Sequence, residues 1–375
     1  MAGDCKLKIA MIGHKRIPSR EGGVEIHVEE IAVRLVKMGN DVTVYNRRKK
    51  GFPLYHEYKG VKIVNVPTVN RKSLDAVIYS FFATIHALFQ HYDVIHYHAI
   101  GPSVMLMIPH LFGIKTVATV HGLNWESAKW GKFAKWYMKL GERIIAKDAD
   151  EVIVLSANLQ KYFQDTYGRN ARFISNGVNI PVIRKPDIIK RKYGLEQDGY
   201  LLFLARIVPE KGLHYLLKAF SKIETDKKLV IAGDGTFTGD YVKKIKKMAA
   251  NDSRIIMTGF VQGEELDELY SNACLYILPS DSEGMPLSLL EAMSYGCLCL
   301  VSDIPENREV IGAAGFTFAR GNVDDLKMKI SALLRDNSLK DVGQNGQKAV
   351  FEKYNWDHVA AEIADVYRRA GQAAL

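Results

Sequence analysis

Short apolar runs alternate with amphipathic stretches along the whole chain, and this rhythm restricts the fold more than any other feature. Strand-length runs separated by helix-length segments favour parallel sheets covered by helices. In the first half, strands are expected at 8–12, 41–45, 61–66, 94–97, 116–120 and 151–155. The pattern restarts with strands expected at 200–205, 229–232, 255–258, 275–278 and 298–302. Between the two sets, residues 180–199 are charged and carry Pro181 and Pro186, as a linker would. A chain of 375 residues has room for two ordinary domains, each with its own core. The expected fold class is therefore α/β, with two Rossmann-like domains facing each other across a cleft, spanning residues 1–180 and 181–354.

Composition narrows the function classes. Hydrophobic residues make up 47% and are spread throughout, which excludes a disordered chain. After Met1 to Cys5 the chain enters its first strand, and no run there resembles a signal peptide. The most apolar helical stretch, 74–89, contains Asp75 and His86 and is too short and polar to span a bilayer. Cys5, Cys274, Cys297 and Cys299 lack metal-ligand spacing, so a reduced, cytoplasmic protein is expected. Residues 1–180 hold 25 Lys+Arg against 15 Asp+Glu, a balance of +10 within a net +9. No nucleic-acid signature accompanies this charge. An anionic membrane surface or a lipid diphosphate is the better partner, with the protein peripheral on the inner face of the cell membrane.

Two carboxylates, Glu283 and Glu291, lie eight residues apart where a strand feeds a loop that turns into a helix. A fully helical interval would separate them by about 12 Å, close to the distance between the sugar and the ribose flanking a diphosphate. The helix start between them, after Gly284-Met285-Pro286-Leu287, favours an anion through its free N–H groups and dipole. Pro286 removes one of those donors. Arg206 and Lys211 follow the first strand of the second half, at the strand end where α/β sheets bind ligands. Cations there stabilise the charge of a departing diphosphate. Gly22 and Gly23, before Glu25, open a helix and allow an anion close to the backbone. The dinucleotide fingerprint is absent at Gly13, which disfavours a simple dehydrogenase. His121 follows a buried strand, where structural roles outnumber chemical ones. Gly259-Phe260-Val261 is a loop signal, and its bland reading is simple turn chemistry.

Residues 125–147 read as a basic amphipathic helix. Lys129, Lys132, Lys135, Lys139, Arg143 and Lys147 share one arc, with Phe133, Tyr137, Leu140, Ile144 and Ile145 opposite. Trp125, Trp130 and Trp136 suit a membrane interface, although an ordinary surface helix would look the same. Asp148-Ala149-Asp150 precedes a strand and reads as a helix-to-strand turn. No metal site and no cofactor are expected.

The stretch from Glu283 to Gly296 resembles the paired-glutamate motif of retaining GT-B glycosyltransferases of family 4. The run from Ile12 to Glu25 resembles the start of bacterial rhamnosyltransferases of capsule and exopolysaccharide assembly. This resemblance spans nearly the whole chain, though many members carry Phe-Gly where this chain has Met285-Pro286. It implies that Arg206, Lys211, Glu283 and His121 act at the reacting atoms. It also implies that Gly22, Gly23, Glu25, Gly284, Met285, Pro286, Leu287, Glu291, Gly259 and Val261 line the substrate sites. Residues 355–375 would form a helix crossing back to an acceptor-binding, membrane-facing first domain. The expected reaction moves L-rhamnose from dTDP-rhamnose to a polyprenyl-diphosphate-linked sugar without a metal. UDP-glucose or UDP-galactose is the rival donor, and a UDP-sugar 2-epimerase is the more distant alternative.

Overall fold

The computed structural model describes residues 6–49, 51–69, 74–123, 125, 131–235 and 239–372. The chain divides into two compact units, residues 1–176 with 356–375, and residues 177–355.

In the first unit, strands β1 (Lys8–Ile12), β2 (Asp41–Arg48), β3 (Glu57–Tyr58), β4 (Val61–Pro67), β5 (Val94–His98), β6 (Lys115–Val120), β7 (Glu151–Val154) and β8 (Arg172–Phe173) form one sheet. Their order is β3-β4-β2-β1-β5-β6-β7-β8, parallel except for the β3–β4 pair. Helices α1 (Gly23–Lys37), α2 (Asp75–Leu88), α3 (Met107–Leu111), α4 (Lys132–Asp148) and α5 (Ala157–Tyr167) connect the strands. Tyr79 and Ala83 of α2, Ile144 and Ile145 of α4, and Phe163 of α5 share a core with Ala10, Ile95, Tyr97 and Val120. Because strand side chains alternate between faces, His96 points away from that core.

The second unit contains β9 (Tyr200–Leu204), β10 (Lys228–Ala232), β11 (Ile255–Gly259), β12 (Leu275–Leu278), β13 (Cys299–Ser302) and β14 (Phe316–Phe318). All pair in parallel, in the order β11-β10-β9-β12-β13-β14. Strand order reverses between β9 and β12, which opens a crevice at the carboxyl ends of those two strands. The helices are α6 (Ile188–Tyr193), α7 (Leu213–Phe220), α8 (Gly239–Ala249), α9 (Glu264–Ser271), α10 (Leu287–Ser294), α11 (Pro305–Ile311), α12 (Val323–Arg335) and α13 (Lys340–Lys353). Leu201, Phe203, Ile231, Ile277 and Leu300 form the core with Leu217, Phe220 and Ile330.

Helix α14 (Trp356–Gln372) belongs to the first unit, where it packs on α1 and β6. Tyr367 Oη lies 2.7 Å from His96 Nδ1, and His96 Nε2 lies 2.7 Å from Thr119 Oγ1. Arg34 of α1 donates to Asp357 at 2.7 Å.

Every strand expected from the sequence is present, and each of these segments is an α/β Rossmann-like unit. Three strands were missed: β3, β8 and β14, each of two or three residues and each at or beside a sheet edge. The stretch read as linker contains α6, whose first N–H groups are held by a distant carboxylate. Glu268 accepts from the backbone N–H groups of Asp187 and Ile189, both at 3.0 Å. The basic helix begins at Lys132, and residues 126–130, including Lys129 and Trp130, lie outside the described residues. Its facing also needs correction. Phe133, assigned to the inner side, is 72% exposed, whereas Lys139 turns inward over the Trp125 ring at 3.4 Å. The buried carboxylate of Glu142 draws it there, accepting from Trp125, Tyr162 and Tyr167 as well as pairing with Lys139.

Tyr367→Phe removes one partner of a buried hydrogen bond and strands His96 Nδ1, at a cost of about 1–3 kcal/mol. Urea denaturation should show a lower midpoint with an unchanged slope. An unchanged midpoint would mean that this contact does not hold α14 in place.

Candidate active site

In the second unit, four loops at the carboxyl edge of the sheet are stitched together by backbone contacts. Gly233 N donates to Gly259 O at 2.8 Å, joining the loop after β10 to the end of β11. Ile207 N donates to Asp234 O at 3.0 Å, and Asp281 N to Glu210 O at 2.9 Å. Gly212 packs so closely on the loop after β12 that a Cβ would lie 1.9 Å from Pro279 O. Its φ of +65° is left-handed as well, so glycine is required there on two counts.

This stitching brings two of the expected residues into contact. Lys211 Nζ lies 2.5 Å from Glu283 Oε1, with both side chains largely withdrawn from solvent. Ser280 Oγ donates to the same Glu283 oxygen at 2.6 Å. Oε2 of Glu283 carries no protein hydrogen bond among the described residues. Arg206 is exposed at the end of β9, and its guanidinium has no side-chain partner among the described residues.

Helix α10 starts at Leu287 with Pro286 in the capping position, so Glu283 lies in the loop and Glu291 in the helix. Gly284 and Met285 lead into that first turn, in which Leu289 N and Leu290 N donate to Pro286 O at 3.1 and 3.2 Å. Tyr270, fully buried, donates to Glu291 Oε2 at 3.1 Å and stacks on Tyr295. Burial, with the Glu291 charge next, holds the Tyr270 hydroxyl well above its ordinary pKa, so it remains a donor. Gly259 ends β11 with φ +75°, followed by exposed Phe260 and half-buried Val261.

In the first unit, Gly22 caps α1 in an extended conformation and Gly23 begins it. A Cβ on Gly22 would lie 2.5 Å from Glu25 Oε2. Glu25 folds back so that its Oε1 accepts from Lys15 N at 3.0 Å, shaping the loop between β1 and α1. Two residues not singled out in the sequence clamp that loop. Asn46 bonds both the N–H and the carbonyl of Ile17, and Arg47 donates to the carbonyls of Gly13 and His14. Both sit on β2 far from the loop in sequence, and no local signal marks them. Asp148-Ala149-Asp150 forms a turn from α4 into β7, where Asp150 accepts from Thr116 N at 2.8 Å.

His121 follows β6 among other histidines. Its Nε2 lies 3.2 Å from His98 Nδ1, and the His27 ring meets it edge-on at 4.7 Å between centroids. His27 Nδ1 is 2.8 Å from Asn176 Oδ1. Desolvation, with neighbouring histidine charge next, holds His98 and His121 well below the ordinary histidine pKa. Burial lowers His14 and His27 to about 4. Only alternation along β5 hinted at this group, since His96 and His98 share a face.

The fold and site define a class. Sucrose-phosphate synthase from Thermosynechococcus elongatus superposes over 98% of this chain and 100% of its own with a TM-score of 0.86, at 20% identity. The two units therefore have the GT-B arrangement of strands and helices. The Glycosyltransferase Family 4 model matches residues 21–181, and the Glycosyl transferases group 1 model matches residues 186–349. The chain is a glycosyltransferase of this family 4 and group 1 type. An uncharacterized glycosyltransferase of Methanocaldococcus jannaschii is 28% identical over 97% of this chain and 98% of its own length. The Escherichia coli UDP-Gal:alpha-D-GlcNAc-diphosphoundecaprenol alpha-1,3-galactosyltransferase is 27% identical over 74% of this chain and 75% of its length.

Folded-state histidine pKa values below the unfolded value make the native chain bind fewer protons than the unfolded one. The stability that His14 and His27 contribute is complete above about pH 6.5 and is lost as pH falls toward about 4. Urea midpoints should drop between pH 7 and pH 5, and the drop should shrink in His27→Gln. A flat profile over that range would contradict the buried neutral histidines.

Proposed function

We propose that the chain is a retaining glycosyltransferase that carries a sugar from a nucleoside diphosphate to a lipid-diphosphate-linked sugar at an anionic membrane face. The observation that carries this reading is the Lys211–Glu283 pair ahead of α10, with exposed Arg206 on the same loop as Lys211. Desolvation offsets much of the attraction in a buried ion pair, so the pair is weak evidence of a purely stabilising role. An incoming diphosphate competes for Lys211. Arg206 and the first turn of α10 offer it further positive potential. Glu283, whose Oε1 is already engaged, turns its second oxygen to a donor-sugar hydroxyl. Glu291, oriented by Tyr270, takes a ribose hydroxyl, and the loop Gly259–Val261 lies against the base. Pro286 withholds one N–H from the anion, leaving more of the charge to the two cations.

In this reading, the bond from the anomeric carbon to the diphosphate oxygen breaks as the acceptor oxygen bonds to that carbon on the same face. The acceptor's proton passes to the departing diphosphate. No protein nucleophile takes part. The first unit holds the acceptor through the loop at Gly22 and Gly23, and His121 contacts the sugar or phosphate. For the donor, the run Ile12 to Glu25 supports dTDP-rhamnose. The second reading is UDP-galactose or UDP-glucose, and the E. coli relative's named donor favours it.

Membrane contact is supported by an apolar face in the first unit. Helices α2, α3 and α4 lie side by side, sharing core or direct contacts, and turn large side chains outward. Phe89 is 74% exposed, Leu111 77% and Phe112 72%, joined by Phe81, Phe82, Phe133 and Trp136. Lys132 and Arg143, on the same helix as Phe133 and Trp136, are exposed as well, and basic residues suit an anionic bilayer. No helix among the described residues is long and apolar enough to cross a membrane.

Purified protein should add a deoxyhexose to a lipid-diphosphate-linked monosaccharide from dTDP-rhamnose alone, read by mass spectrometry, with the anomeric configuration retained by NMR. A hexose from a UDP-sugar would overturn the donor and keep the chemistry. Glu283→Ala and Lys211→Ala should each lower kcat about 100-fold or more, and full activity in either would sink the site. Leu111→Ser/Phe133→Ser/Trp136→Ser should lose binding to phosphatidylglycerol vesicles while retaining transfer to a short-chain soluble acceptor. Undiminished vesicle binding would remove the membrane face.

A further inference from the structure

Three histidines from distant parts of the chain converge in the first unit. His27 sits in the first turns of α1, His98 ends β5, and His121 follows the neighbouring strand β6. One nitrogen from each lies within 4.8 Å of the others. Parallel pairing of β5 with β6 sets two of them side by side, and α1 lays the third across their ends.

Their hydrogen bonds leave lone pairs unused. Asn176 Oδ1 can only accept, so His27 Nδ1 carries the proton and Nε2 the lone pair. That Nε2 is buried without a partner, and so is His98 Nε2. His27 and His98 are fully buried, so bulk water does not satisfy them. A buried polar nitrogen without a partner is unfavourable, and two of them lie within this one group. The other histidines nearby are accounted for. His96 is engaged at both nitrogens by Tyr367 and Thr119, and His14 bonds Asn46.

We propose that His27, His98 and His121 form a binding site for a divalent transition-metal ion of the Zn²⁺, Co²⁺ or Ni²⁺ type. Tetrahedral zinc–imidazole bonds of about 2.0–2.1 Å place ligand nitrogens about 3.4 Å apart. His98 Nδ1 and His121 Nε2 already share a hydrogen bond at 3.2 Å; coordination through both moves its proton to the other nitrogen of one ring, and closure asks for a shift of about an ångström from the His27 ring. Asn176 supplies the outer partner that fixes a metal-bound imidazole's tautomer and orientation. All three rings are neutral at pH 7, the form a metal requires, for the burial reasons given above. An all-imidazole set suits zinc, cobalt and nickel and disfavours magnesium and calcium. Three protein ligands leave a fourth position open to water or an anion.

The consequence for activity rests on the transfer role proposed for His121: a bound ion occupies that imidazole and inhibits. Binding itself is independent of that role.

Chelator-treated full-length protein is titrated with Zn²⁺ by calorimetry and with Co²⁺ by visible absorption. The expected result is one equivalent per chain, with a tetrahedral cobalt band and no response to Mg²⁺. His27→Gln should abolish the band, and Asn176→Ala should weaken binding about 10- to 100-fold. Half-buried His121→Gln serves as the second ligand variant if His27→Gln misfolds. Absence of saturable binding, or binding that persists in the folded ligand variant, overturns the site, the latter showing an adventitious ion on surface histidines. Loss of transfer at one equivalent of Zn²⁺, restored by chelator, ties the site to His121. Metal binding in a protein that transfers no sugar would leave this site standing and remove the transfer reading.

Discussion

The close approach of Gly212 to the Pro279 carbonyl is the constraint on which the candidate site depends. No side chain fits between them, so the loops after β9 and β12 are pressed together at the point where strand order reverses. Lys211 immediately precedes Gly212, and Glu283 follows Pro279 by four positions. Their contact is thus a consequence of backbone packing. The Asp281–Glu210 hydrogen bond holds the same two loops from the other side, and Ser280 fixes the carboxylate. A chemical pair held this way needs little reorganisation to meet a ligand.

The first unit solves a different problem. Its loop between β1 and α1 is held by Asn46, Arg47 and Glu25, which spend their polar groups on backbone. Behind that loop lies a group of histidines kept neutral by burial. Tyr367 reaches His96 from α14, so the end of the chain completes the packing of this unit.

Much of this was legible in the sequence because burial on both faces makes parallel strands read as continuous apolar runs. That signal fails for β8 and β14, which are too short to show a run. It fails differently for α6, a helix stabilised by Glu268 from far along the chain. Helical periodicity placed α4 but misjudged its faces, since a wheel sends every lysine outward and cannot foresee Glu142 drawing Lys139 in. At the candidate site, Glu283, Glu291, Arg206 and Lys211 were singled out by spacing and by position after strands, and of these the structure brings Lys211 and Glu283 into contact. Ser280, Tyr270 and Gly212 were not, because their roles exist only in tertiary contact. The meeting of His27 with His98 and His121 likewise has no spacing to betray it.

The central claim is a division of labour within the Lys211–Glu283 pair, with Lys211 reading the diphosphate and Glu283 the sugar. Calorimetry with a free nucleoside diphosphate and with the matching nucleotide sugar tests it directly. Lys211→Ala should weaken both ligands. Glu283→Gln should weaken only the nucleotide sugar and leave or strengthen the free diphosphate, which no longer competes with a carboxylate for Lys211. Equal losses for both ligands in Glu283→Gln, or none in Lys211→Ala, would contradict the account.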